Sequence, residues 1–440
     1  MSKYKHYLLI LVLVVIPLYP KFPLLDVTGT FVSIRLEDIL VALIVGIYAC
    51  DLIIRKFDTL RLPISRSILL YLLVGVSATF AGIFITKTAI LNLGILHTLR
   101  RFEYMSLFFV AYDWLSDTRQ LKFIVRTLLF VSLLVAVYGI FQQFAQAPII
   151  STNNSEFSKG LALTLGPGAR INSTFAGHYD LAAFMVLPLL LILALLPVSA
   201  HKRLLLAGGF LMYVTVLLSA SRIAFFSLFI SAGLLVVLIR KRTWLIPLAV
   251  LAIAGFFASP QLRGRYLELL TTGFKIALVT PVHAQGAATA SGSKATDTIP
   301  DALKSPPVAE DRSFSIRLNA EWPTAIRAFV KDPVLGSGFS SIGLAADNEY
   351  LRILAETGLL GLMAFALIHL RFFKTSLPFF LRSYTPSFNS AFIVATSCAL
   401  FSLLIGSVFI DYFEASKIAM IFWIIIGLAH KAKNFPADHV

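Results

Sequence analysis

Apolar runs close to the length of a bilayer crossing recur along almost the whole chain, and this constrains its fold more than any other feature. About twenty consecutive apolar residues span the hydrocarbon layer as a helix. Inside hydrocarbon every backbone N–H and C=O must be paired within the protein, which for such runs means helix. About twelve runs can be traced, at roughly 7–20, 37–54, 66–86, 90–112, 122–145, 179–198, 203–219, 222–239, 243–259, 350–370, 388–410 and 413–430. Hydrophobic residues make up 58% of the 440 and charged residues only 14%, so there is little polar surface with which to clothe a water-soluble domain. The expected fold class is therefore an all-α polytopic membrane protein of about twelve transmembrane helices. The first run ends in Pro17, Tyr19, Pro20 and Lys21 with no small-residue cleavage site, so it is read as a retained helix rather than a signal peptide.

The net charge of +15 is mostly a topology signal. If the N-terminus, with Lys3 and Lys5, lies in the cytoplasm, the inner connections hold most of the loop cations. They carry Arg55, Lys56, Arg61 and Arg66, then Arg119 and Lys122, Lys202 and Arg203, and Arg240 to Arg242. Arg371, Lys374, Arg382, Lys431 and Lys433 complete the set, whereas the short outer connections hold Lys21, Arg35 and Lys87. This bias orients both termini toward the cytoplasm. Because the basic residues are dispersed among membrane loops, a nucleic-acid surface is not indicated. Cys50 and Cys398 fall inside apolar runs, so no disulfide framework is expected. No closed metal-site spacing and no phosphate-binding glycine loop appears, and neither metal nor cofactor is expected.

Two long connections face outward in this topology, at roughly 146–178 and 260–349. The second opens with Leu262, Tyr266, Leu269 and Leu270 at helical spacing, a candidate surface helix. Ala284–Val308 is rich in Ala, Gly, Ser, Thr and Pro and is expected to be disordered. Leu318, Trp322, Ile326 and Phe329 share a helical face, with Pro323 kinking that helix or marking a new first turn. Asp332, Pro333, Gly336 and Gly338 then form a turn-rich approach to Asp347.

Four polar patches lie on the outer side in this topology. They are Arg170 to His178 (RINSTFAGH), Ser219 to Arg222 (SASR), Arg317 and Trp322 followed by Pro333 to Gly338 (PVLGSG), and Asp347 to Leu362 (DNEYLRILAETGLLGL). In this order they resemble the motifs of the O-antigen ligase and polymerase superfamily, integral-membrane transferases that move glycans off undecaprenyl diphosphate. The resemblance covers most of the chain from about Arg100 to the last run. It implies a glycosyltransferase fold of the C type, with N-terminal membrane helices at 1–145 and a catalytic membrane region at 146–440 that includes the 260–349 loop. It also implies inverting, metal-independent chemistry. The implied donor is an undecaprenyl-diphosphate-linked glycan and the implied acceptor a lipid A-core or another glycan, at the outer face of a bacterial inner (plasma) membrane. Ligase, polymerase and protein-glycosylating transferase remain open, and a transporter or flippase of lipid-linked oligosaccharide is the non-enzymatic alternative.

Residue chemistry agrees with this assignment. Departure of a lipid diphosphate leaves concentrated negative charge, which fixed cations stabilise best where water is partly excluded. The planar fork of arginine grips two phosphate oxygens. Arg222, Arg317 and Arg170 are the candidates, with Arg312 competing with Arg317 and with Ser221, Asn348 and Tyr350 as binding groups. The family motif usually opens His-Asn, and here Asp347 stands in the first position. A placed carboxylate can take the proton of an acceptor hydroxyl, so Asp347 is the expected base and His178 the second candidate. The blander alternative for Asp347 is a helix N-cap. Glu356, inside a span, needs a cationic partner. Arg100, Arg101 and Glu103 read as snorkelling or paired structural groups. Gly358 and Gly361 read as sites of close helix contact, and Asp411 as a group facing the same cavity.

Overall fold

The computed structural model describes residues 2–20, 22–26, 33–54, 57–150, 165, 169–260, 263, 264, 266, 317–343, 346–381 and 386–436. The expected surface helix near 262–270 falls almost wholly outside these residues, and the 284–308 segment and Arg312 lie entirely outside them.

Thirteen helices of ten or more residues occur among the described residues. They are α1 (Ser2–Leu18), α2 (Leu36–Ile54), α3 (Pro63–Phe84), α4 (Leu91–Trp114), α5 (Thr118–Phe144), α6 (His178–Leu195), α7 (Lys202–Ser219), α8 (Arg222–Leu238), α9 (Leu245–Ala258), α10 (Trp322–Lys331), α11 (Glu349–Ser376), α12 (Phe388–Gly406) and α13 (Ser416–Ala432). All but α10 fall on the apolar runs. Six of them are long and apolar enough to cross a membrane by length and composition alone, and α1, α8 and α9 are shorter apolar helices. The chain is an all-α polytopic membrane protein. The one departure is a small antiparallel ribbon in the first connection, β1 (Pro23–Asp26) with β2 (Ser33–Arg35).

The ends of the helices follow local chemistry. Asp117 caps α5 by accepting the Gln120 N–H at 2.8 Å, and Ser387 and Ser390 close a reciprocal capping box on α12. The interior is built on α12 and α13, which are apolar on every face and buried almost throughout, as expected for central helices of a bundle. α12 lies against α6 and α8, α13 against α4, and α11 against α3.

α11 is interrupted. Gly358 adopts φ +64°, ψ −166°, so the helix stops after Thr357 and restarts at Leu359. The segment before α11 fills the break: Ser337 and Gly338 donate N–H bonds to the carbonyls of Ala355 and Glu356, both at 2.9 Å. In return Leu359 and Leu360 donate to Pro333 and Val334 at 2.9 and 3.2 Å. Irregular backbone at membrane depth is tolerated only where protein satisfies it in this way. Pro333 to Gly338 is turn-rich as the sequence suggests, and it forms a plug between α3 and α11. Phe339 is fixed there by an N–H bond to Thr79 Oγ1 at 3.1 Å, and Ser337 accepts from Thr88 Oγ1 at 2.7 Å. The expectation of close helix contacts at two glycines is corrected accordingly. A Cβ at Gly358 would collide with the Val334 carbonyl of the plug, and one at Gly361 with Thr357 of the same helix.

Gly358→Ala should therefore weaken the fold. Backbone strain at a left-handed residue costs about 1–3 kcal/mol, and here the new methyl also meets backbone. The expected result is a lowered thermal midpoint in detergent, and a midpoint equal to wild type would show that the plug does not grip the break.

Candidate functional site

The break in α11 and the turn 407–415 between α12 and α13 hold a buried ionic network. Arg352 is 1% exposed and donates through Nε to Asp411 Oδ2 at 2.9 Å and through Nη1 to Glu356 Oε1 at 3.3 Å. Glu356 also accepts the Ser340 N–H at 3.0 Å, and Arg101 of α4 lies 4.0 Å away. Arg101 pairs with Glu414, donates to the Phe413 carbonyl at 3.3 Å and stands 5.2 Å from the centroid of the Phe339 ring. Glu349 accepts the Phe413 N–H at 3.1 Å. The intramembrane pairing expected of Glu356 and Arg101 is present. Removing one partner of such a buried pair typically costs 3–5 kcal/mol, so the network locks α4, α11 and the 407–415 turn to one another.

Asp347 sits on top of this network. Asp411 accepts the Ala346 N–H at 3.1 Å through one oxygen and the Asn348 N–H at 2.8 Å through the other. The clamp brackets Asp347, whose backbone is held at φ +45°, a conformation Asp tolerates better than most residues. Arg317 reaches across from the turn Arg317–Glu321 that precedes α10, where Pro323 occupies the first turn as the sequence suggested. Its Nε and Nη2 both donate to Asp347 Oδ2, at 3.0 and 2.8 Å. Asp347 Oδ1 takes neither bond. The Asp347 side chain is 35% exposed while that of Arg317 is 4% exposed, so a buried cation steadies an accessible carboxylate. Burial pushes the Asp347 carboxyl above its ordinary value, Arg317 opposes that shift, and Asp411 adds to it. Glu321 moves the same way, again through burial, with Asp347 contributing.

The helix-cap alternative for Asp347 is corrected: the cap of α11 is Asn348, whose Oδ1 accepts the Leu351 N–H at 3.0 Å. Tyr350 donates its hydroxyl to the Leu404 carbonyl at 2.6 Å. Ser221 is buried and caps α8 by accepting the Ala224 N–H at 3.4 Å. Asn348, Tyr350 and Ser221 thus each hold a helix through one bond, and each side chain keeps further hydrogen-bonding capacity. Arg222 opens α8 after the left-handed Ala220, and its carbonyl accepts the Tyr266 hydroxyl at 3.0 Å.

Arg170 and His178 come together at the start of α6. The guanidinium donates to His178 Nε2 at 2.5 Å, which places the ring proton on Nδ1 and commits the lone pair that a base would use. Tyr412 lies beside Asp411 in the 407–415 turn. Burial raises this phenol strongly, Asp180 and Tyr179 raise it further, and Arg317 opposes them. Its hydroxyl is buried and has no hydrogen-bond partner among the described residues. Neither Arg352 nor Tyr412 was assigned a role from sequence. Arg352 had a readable signal, its position four residues before Glu356 on one helix face. Tyr412 had none. Among the described residues no group of three or more His, Cys, Asp or Glu side chains is placed to hold a metal ion.

Residues 207–366 match the family model described as O-antigen ligase. The match runs from within α7 to the middle of α11 and so takes in Arg222, Arg317 and Asp347 but not Arg170, His178 or Asp411. No curated protein matches the chain.

Proposed function

Since its 207–366 region makes this chain a member of the O-antigen ligase and polymerase superfamily, we propose that it moves an oligo- or polysaccharide from undecaprenyl diphosphate to an acceptor hydroxyl. The observation that carries this reading is the Arg317–Asp347 pair, a carboxylate oriented through Oδ2 by a buried guanidinium and accessible on its remaining side. In the proposed step Asp347 takes the proton of the acceptor hydroxyl as that oxygen attacks the anomeric carbon. The bond to the diphosphate oxygen breaks, and the diphosphate leaves as an anion stabilised by Arg222 and Arg170. Proton transfer by a placed side chain contributes about 10²–10⁴-fold, and fixed charge at the leaving group adds to it. His178 serves the reaction by orienting Arg170 rather than as the base. The basic bias of the opposite membrane side supports an outer-face site in a bacterial inner membrane with both termini cytoplasmic.

The test is an assay of purified protein in nanodiscs with an undecaprenyl-diphosphate-linked glycan and a panel of lipid A-core and glycan acceptors. Glycosylated acceptor should appear together with released undecaprenyl diphosphate. Intact donor carried across vesicles, with neither product formed, would favour the transporter reading. Arg317→Lys should lower the rate about tenfold, because one point charge replaces the fork that aligns the carboxylate. A rate equal to wild type would mean that orientation by the guanidinium is immaterial.

A further inference from the structure

On the side of the membrane opposite the Arg317–Asp347 site, the starts of α5 and α12 meet the connection between α6 and α7. A groove of about 500 Å³ opens there. Lys122, Arg126 and His201 line its mouth, and Leu129, Leu195 and Phe388 are among its apolar walls. Lys122 Nζ stands 5.7 Å from the centroid of the Phe388 ring, at the boundary between the charged and apolar parts. Among the described residues that line the groove there is no carboxylate. We propose that it is a binding site for an anionic phospholipid, the headgroup phosphate at Lys122 and Arg126 and an acyl chain along the apolar wall.

Charge and shape select this occupant. Basic residues in any inner loop would satisfy the topology rule, but Lys122 and Arg126, four residues apart on α5, share one concavity with His201 of the connection between α6 and α7. A free phosphate would fill the mouth and leave the apolar wall in water, whereas an amphiphile covers both. Each Lys or Arg near an anionic leaflet contributes about 1 kcal/mol toward such a lipid, and a net-neutral headgroup forgoes most of that. A second groove, between α2 and α4, supplies a contrast: the carboxyl groups of Asp38 and Glu103 line it beside Arg100, so its lining is not purely basic.

The experiment is native mass spectrometry of the full chain released from detergent, with phosphatidylglycerol and phosphatidylcholine of identical acyl chains supplied in equal amounts. The wild-type protein should retain phosphatidylglycerol preferentially. The double variant Lys122→Gln/Arg126→Gln should lose roughly 30-fold in affinity for it, the effect of two such charges. If the double variant does not fold, Arg126→Gln alone, at an exposed position, should lose about fivefold. The thermal midpoint of the wild-type protein should rise with added phosphatidylglycerol and not with inorganic phosphate. Equal retention of the two lipids by wild type, wild-type affinity in the variants, or an equal response to phosphate alone would each overturn the proposal.

Discussion

Asp347→Asn should cut glycan transfer by about 10²-fold or more while the protein stays folded. The amide cannot accept a proton at neutral pH, so the attacking hydroxyl would have to lose its proton without help. The structure makes this a clean substitution. The cap of α11 belongs to Asn348, so capping is not disturbed. An Asn at position 347 still offers a carbonyl oxygen to Arg317, which limits the cost of the changed hydrogen bond to about 1–2 kcal/mol. Parallel measurements of transfer and thermal midpoint separate the two effects. Near-normal turnover would remove Asp347 from the chemistry and return His178 to consideration, despite the bond that occupies its Nε2. The wild-type pH profile supplies a second check. Burial raises the Asp347 carboxyl, so the base is lost on acidification at a pH above the ordinary aspartate value. The acid limb of kcat/KM should lie correspondingly high.

The architecture was readable from sequence because membrane insertion leaves the chain few choices. Twelve apolar runs became twelve helices, since hydrocarbon offers an unpaired backbone nothing else. The site was readable only in part. Arg317 and Asp347 lie thirty residues apart in sequence and meet in space; the resemblance named both as site residues, Arg317 for the diphosphate, but not their pairing, which periodicity could not show either. The plug at 333–338 was legible as turn-forming residues, yet its insertion into a broken α11 was not, because a run of apolar residues around Gly358 looks the same whether the helix is continuous or interrupted. Asn348 and Tyr350 looked like binding groups because polar residues near a membrane boundary usually carry function. Here Asn348 also caps α11 and Tyr350 also donates to the Leu404 carbonyl, structural uses that sequence does not announce. Asp411 was the most understated residue. A single acid at the end of a span gives no hint that it bridges two backbone amides and an arginine from another helix.

That bridge makes Asp411 the position where stability and chemistry are most tightly joined. Asp411→Ala strips Arg352 of one carboxylate and leaves the Ala346 and Asn348 N–H groups without their acceptor. Removing one partner from a buried ionic network of this kind costs up to about 3–5 kcal/mol, although Glu356 still faces Arg352, and this is enough to lower the thermal midpoint or the folded yield substantially. Asp347 also loses the clamp that holds it in its left-handed conformation, so any folded fraction should transfer glycan at least 10²-fold more slowly, as expected for a base displaced from hydrogen-bond reach. Asp411→Asn is the more telling variant. It keeps one oxygen for one arm of the backbone clamp, sets an amide NH2 against the other arm, and gives up the charge. The negative charge of Asp411 contributes to raising the Asp347 carboxyl, so its removal lowers that value and keeps the base ionised in more acidic solution. The acid limb of the pH–rate profile should therefore move to lower pH in Asp411→Asn, while transfer at neutral pH survives in part. A residue that merely supported the fold would change the midpoint and leave the position of that limb where it was, and such a result would separate Asp411 from the chemistry at Asp347.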